Sequence, residues 1–107
     1  MKKTLTIAGS DTTGGAGLQA DLKTFQEYGT FGMTAITSIV TMDINNNWSH
    51  DIDTIEPDLV KKQLNTIFSA GNPSALKTGM LGDIRTISVV KEVLTQHQPK
   101  NIVIDPV

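Results

Sequence analysis

Short β-prone runs alternate with amphipathic helical stretches along the whole of this 107-residue chain, and that alternation restricts the fold more than any other feature. Residues 3–9 are β-prone and close on Gly9-Ser10-Asp11, a strand running into a turn. A glycine-rich segment, Thr12-Thr13-Gly14-Gly15-Ala16-Gly17, follows. Leu18, Leu22 and Phe25 then recur at helical spacing, with polar Asp21, Lys23 and Gln26 between them, and predict a helix ending near Tyr28-Gly29. Residues 33–41 are nearly continuous in apolar and Thr side chains, as suits a strand covered on both faces. Asn45-Asn46-Asn47 marks a loop, and residues 49–55 read as a short edge strand or flap. Pro57 opens a second helix, whose stripe of Leu59, Val60, Leu64, Ile67 and Phe68 runs to Gly71. Residues 74–78 form a short strand. Asp83 caps a third helix with Ile84, Ile87, Val90 and Leu94 along one side, and residues 101–105 form a last strand.

Such an order predicts an α/β fold, a parallel sheet flanked by helices. Right-handed crossovers bring the C-terminal ends of all four core strands to one edge, where open α/β sheets bind ligands. That edge carries Gly9-Ser10-Asp11, Thr41-Met42-Asp43, Thr78-Gly79-Met80 and Asp105-Pro106-Val107. The residues given stop directly after a core-like fourth strand, so the sheet should have an unfinished apolar edge, as in a truncated piece of a longer protein.

Composition removes several function classes. Nine Lys and Arg against eleven Asp and Glu leave a formal charge of −2, which excludes a strongly basic nucleic-acid binder or a polybasic membrane arm. A hydrophobic fraction of 38% excludes disorder. Without cysteine, a disulfide framework, a thiolate metal site and a cysteine nucleophile are excluded within these residues. No apolar run approaches the roughly 18 residues a bilayer requires, and the N-terminus has no signal-peptide core, so the expected address is cytoplasmic.

The glycines admit more than one use. Gly15-x-Gly17-x-x-Ala20 matches a dinucleotide fingerprint, but Ser10 to Gly14 separate it from the strand and the ribose-binding acid is missing. Backbone N–H groups ahead of the first helix could instead cradle an anion or a polar ligand edge, or merely form a tight turn. Asp11 could accept a hydrogen bond from a substrate hydroxyl or ring N–H. Asp21 reads as a solvated residue of the early helix, and Lys77 as pointing away from the neighbours of Met80, with no role. His50, beside Trp48, is either a surface residue or a ligand contact. His97 suits a helix C-terminus. Met80, between glycines at a strand end, is either core filler or one wall of a pocket for an aromatic ring.

Three blocks carry a family resemblance. The block from Thr6-Ile7-Ala8-Gly9-Ser10-Asp11 through Gly14-Gly15-Ala16-Gly17-Leu18-Gln19-Ala20-Asp21-Leu22-Lys23-Thr24-Phe25 resembles the opening of the hydroxymethylpyrimidine and pyridoxal (pyridoxine) kinases. Lys77-Thr78-Gly79-Met80-Leu81-Gly82 and Asn101-Ile102-Val103-Ile104-Asp105-Pro106-Val107 resemble later blocks in the right order. The resemblance implies a ribokinase-like fold, with residues 1–107 as the N-terminal part of a single kinase domain. It implies ATP-dependent phosphorylation, with Mg, of the hydroxymethyl group of a small heteroaromatic alcohol in vitamin B6 salvage or thiamine synthesis. By motif, Gly9, Asp11, Asp21, Met42, His50, Met80 and Val107 would be substrate-binding, Asp105 would lie near phosphate or metal, and 48–51 would form a flap.

Members dedicated to hydroxymethylpyrimidine tend to carry Gln or Glu, then Asn, where this chain has Met42-Asp43. A methionine cannot make that polar contact, which favours the branch accepting pyridoxal, pyridoxine and pyridoxamine. The resemblance also implies a homodimer, and it places the catalytic base, the anion hole and most of the ATP site outside these residues, so the 107-mer alone should be inactive. The alternatives are a non-catalytic ligand-binding module and a nicotinamide-dependent oxidoreductase.

Overall fold

The computed structural model describes residues 1–107 and contains five strands and three helices. In chain order these are β1 (Lys3–Asp11), α1 (Gly17–Glu27), β2 (Phe31–Asp43), β3 (Ser49–Thr54), α2 (Pro57–Ser69), β4 (Ala75–Thr78), α3 (Ile84–His97) and β5 (Ile102–Ile104). The sheet order is β3-β2-β1-β4-β5. β1, β2, β4 and β5 are parallel, and β3 runs antiparallel to β2. The expected four-strand parallel core is present, and of the two readings for residues 49–55 the short edge strand is the one seen, as β3. β1 and β2 run two residues further at their C-terminal ends than the apolar pattern suggests, because Ser10-Asp11 and Met42-Asp43 continue the ladders.

Alternation along the strands divides the two faces. Leu5 and Ile7 of β1, Ala35 of β2 and Leu76 of β4 form one core with Val60, Leu64 and Phe68 of α2 and Val90 and Val93 of α3. Thr6 of β1 and Lys77 of β4 point to the other face, where α1 lies. Leu22 and Phe25 of α1 close over Gly32, where an added Cβ would meet them at 2.8 and 3.1 Å. Asp83 caps α3 as expected, accepting from the Arg85 N–H at 2.8 Å. The α3 stripe is rotated from the expected one: Val90 and Val93 are buried, while Ile84 and Ile87 are exposed. Expected coverage of β2 on both faces holds only around Ala35 to Ser38, for Ile39 is exposed beside the hairpin. β5 is the outermost strand on its side of the sheet, with Val103 and Ile104 exposed.

β1 lies at the switch point of this sheet. Its own connection leaves through α1 on one face, whereas β4 leaves through α3 on the other. The crevice beyond the C-terminal ends of β1 and β4 is where open sheets of this kind receive ligands.

Candidate functional site

The first wall of the crevice is the turn between β1 and α1, built around Asp11. Oδ1 accepts from the Thr13 N–H at 3.0 Å and the Thr13 hydroxyl at 2.8 Å. Oδ2 accepts from the N–H groups of Gly15 at 3.1 Å and Ala16 at 2.8 Å. The anion cradle anticipated before the helix is therefore filled from within the chain. The pyrophosphate position of the dinucleotide reading is occupied by a side chain, which removes the physical basis of the oxidoreductase alternative. Asp11 is buried, and with two hydrogen bonds on each oxygen it organises the rim rather than presenting a free carboxylate to a ligand.

The rest of the signature block reinforces this turn. Gln19 accepts from the Asp11 N–H at 2.9 Å and donates to the Ser10 hydroxyl at 2.8 Å. Lys23, one helical turn on, donates to the Gly14 carbonyl at 2.8 Å. Gln19 and Lys23 were not among the expected site residues. Their spacing of four, directly after a glycine-rich turn, is the signal that could have singled them out.

Hydrogen bonds from Thr13, its hydroxyl first and then its N–H, outweigh the effect of burial and hold the Asp11 carboxyl below its ordinary value of 3.8, with further help from Ala16 and Gly15. A carboxyl depressed in the folded state contributes stability that is complete above its unfolded pKa and is lost as pH falls through the folded value. Denaturation midpoints followed from about pH 6 down to about pH 2 should therefore decline below roughly pH 4. In Asp11→Asn that acid decline should be shallower and the midpoint lower at neutral pH, because an amide nitrogen would face an N–H donor. An unchanged acid limb in the variant would contradict this assignment.

The second wall comes from β4. A Cβ on Gly9 would lie 2.7 Å from the Ser38 Oγ and 3.1 Å from the Met80 Cε, so the Met80 side chain folds over Gly9 at the end of β1. Thr37 donates to the Met80 carbonyl at 2.6 Å and fixes that loop from below. Gly9, Asp11 and Met80 thus share one end of the molecule, with β2 supplying Thr37 and Ser38 beneath. Ser38 is fully buried, and its hydroxyl has no hydrogen-bond partner. Neither Thr37 nor Ser38 was anticipated, since short hydroxyl side chains in an apolar strand give no sequence signal of their own.

Met42 and His50 are direct cross-strand partners in the β2–β3 hairpin. Asp11 pairs with Val40, so the Met42–His50 pair lies beyond the end of β1, toward the loop of the hairpin. His50 is exposed there. Met80, Asp105 and Val107 line an open hollow of about 640 Å³ between the β4–β5 ends and α3, together with Ile87, Leu94 and Ile104. The hollow is wide and apolar and follows the free edge of the sheet. Met80 is the residue common to it and to the Gly9 contact.

Asp21 departs furthest from its expected setting. It accepts from the Thr6 hydroxyl at 2.7 Å and from the Lys77 ammonium at 3.0 Å, so it is neither solvated nor at the rim. Lys77, expected to carry no role, reaches under α1 to make that ion pair.

The resemblance places most of the ATP site and the metal ligands outside residues 1–107, and the side chains present do not supply them. No group of three or more His, Asp or Glu side chains is placed to hold a cation, and the turn N–H groups are already engaged by Asp11. Asp105 accepts only from the Val107 N–H, at 3.1 Å.

The family described as phosphomethylpyrimidine kinase matches residues 11–107. The chain belongs to that family. It is 52% identical over all 107 residues to the pyridoxine kinase of Bacillus subtilis, covering 40% of that protein. It is 43% identical over 103 residues to the hydroxymethylpyrimidine/phosphomethylpyrimidine kinase of Escherichia coli, covering 96% of this chain and 38% of that one. The ADP complex of Bacillus subtilis pyridoxal kinase superposes with a TM-score of 0.97 at 52% identity, over all of this chain and 40% of that one. The Staphylococcus aureus pyridoxal kinase bound to AMP-PCP and pyridoxal gives 0.92 at 53% identity, over 100% and 39%. These matches establish the ribokinase-like fold that the resemblance implied. The chain spans about 40% of the length of these relatives.

Proposed function

We propose that residues 1–107 are the ring-binding part of a single ribokinase-like kinase domain. The whole protein then uses ATP to phosphorylate the hydroxymethyl group of pyridoxal, pyridoxine or pyridoxamine, and hydroxymethylpyrimidine as a weaker substrate. The observation that carries this reading is the Met80 side chain folded over Gly9 at the switch point of β1 and β4. A flexible apolar side chain against bare backbone makes a flat, dry wall suited to a heteroaromatic ring. The likeness to kinases from the B6 and pyrimidine branches supports the substrate class.

In this reading Gly9 and Met80 bound the ring, Val107 adds an apolar wall at the mouth of the hollow, and the Met42–His50 hairpin covers the ring from above. Asp11 and Gln19 hold the rim rigid, and Asp105 stands nearest the phosphate. Met42, with no polar contact to offer an aminopyrimidine, favours the pyridine ring. The ATP and metal ligands belong to the remainder of the domain, so the 107-residue chain alone does not turn over. No helix of the chain is long and apolar enough to cross a membrane. A cytoplasmic address and a homodimer are proposed on the family likeness alone.

The deciding assay follows ATP-dependent phosphate transfer to pyridoxine and to hydroxymethylpyrimidine by the proposed full-length protein (the full chain) and by the 107-mer. We expect pyridoxine to be the better substrate of the full chain and the 107-mer to be silent. Failure of the full chain on both rings would reject the kinase reading. Ring binding with no response to ATP would favour the non-catalytic module.

A further inference from the structure

Thr6 and Lys77 are direct partners across the β1–β4 ladder, and both reach the same carboxylate on α1. The Lys77 ammonium lies 3.1 Å from the Asp21 Oδ1 and 3.0 Å from Oδ2, while the Thr6 hydroxyl donates to Oδ2 at 2.7 Å. The pair is largely enclosed, the Lys77 and Asp21 side chains being 24% and 16% exposed. Stability alone is a weak reason for an enclosed ion pair, since a well-packed apolar pair commonly does as well. Geometry is a better one, because this single carboxylate fixes α1 against β1 and β4 together.

The place where it does so matters. Ile7 and Thr78 pair one step further along the ladder, and beyond them the strands end at Gly9 and at Gly79-Met80. A Cβ on Gly79 would lie 2.9 Å from the Ala8 Cβ and 3.6 Å from the Lys77 Nζ, so no slack separates the β4 wall from β1. α1 carries the Asp11 turn at its N-terminus, and β4 carries Met80 at its C-terminus.

We propose that Asp21 and Lys77 are positioning residues for the ring site, setting the spacing between the glycine-rich turn and the Met80 wall. This rests on the ring-kinase reading above. A displacement of about 1 Å at such a wall is enough to weaken productive binding by an order of magnitude or more.

The test measures the pyridoxal Kd of the full chain by calorimetry alongside its denaturation midpoint. Lys77→Met leaves the Asp21 carboxylate unpaired and should lower stability and raise the pyridoxal Kd about tenfold or more. The double variant Asp21→Leu with Lys77→Met removes both charges. It should regain stability while its Kd stays raised, a separation that a merely structural pair would not produce. Thr6→Val, which deletes only the hydroxyl's hydrogen bond, should give a smaller rise of the same sign and remains informative if Lys77→Met does not fold. A double variant that binds pyridoxal like the wild type overturns the positioning role and leaves the kinase reading intact. A wild type that binds no pyridoxal overturns the kinase reading, and this inference with it.

Discussion

Gly17→Ala should be among the most damaging single substitutions in this chain. Gly17 has φ +59°, and an added Cβ would lie 2.5 Å from the Gly9 carbonyl oxygen and 3.3 Å from the Asp11 nitrogen. Both are backbone atoms of β1 and neither can rotate away. Left-handed strain costs an alanine about 1–2 kcal/mol, and overpacking adds about 1–3 kcal/mol. Gly29→Ala is the matching control. Gly29 has φ +73° and nothing within 4 Å of the added Cβ, so only the conformational strain of about 1–2 kcal/mol applies. Chemical denaturation of the two variants separates clash from strain. If the proposed ring-binding role holds, the clash that pushes apart the Gly9 and Asp11 backbone should also make Gly17→Ala lose ring binding while Gly29→Ala keeps it. Equal midpoints for the two variants would show that the α1 entry does not press on β1 as described.

Leu64→Ala is expected to have a comparable effect on stability by a different route. Leu64 is fully buried at the centre of α2, in the core shared with Leu5, Ile7 and Val90. Truncation at such a site removes the transfer free energy of the side chain and leaves a cavity, together about 2–5 kcal/mol. A domain stability of about 5–15 kcal/mol cannot absorb much more than that. Leu59→Ala, on the same helix but half exposed, should change the midpoint far less. A small effect at Leu64 would mean that α2 does not seal this face of the sheet.

The strand and helix order was readable because apolar spacing follows the local periodicity of each element, as in Leu18, Leu22 and Phe25 of α1. The convergence of Gly9, Asp11 and Met80 was readable for the same reason, since parallel strands with right-handed crossovers must end on one edge. Other features were not. The rotation of the α3 stripe depends on how α3 packs beside α2, which buries Val93 and leaves Ile84 outside. The use of the Asp11 carboxylate depends on the path of the turn, which directs three N–H groups inward at one side chain. The role of Lys77 was invisible because its partner lies 56 residues away.

By itself the sequence determined the family, the alternating α/β order and the residues that gather at the ends of the strands, because these follow from motifs and from periodicities that each segment carries alone. Only the tertiary structure decided which of those residues are exposed at the crevice and which serve its frame. Asp11, Gln19 and Lys23 bind the turn together, and Asp21 with Lys77 ties α1 to β1 and β4, since a hydrogen bond or ion pair has a direction and a reach that no spacing along the chain specifies.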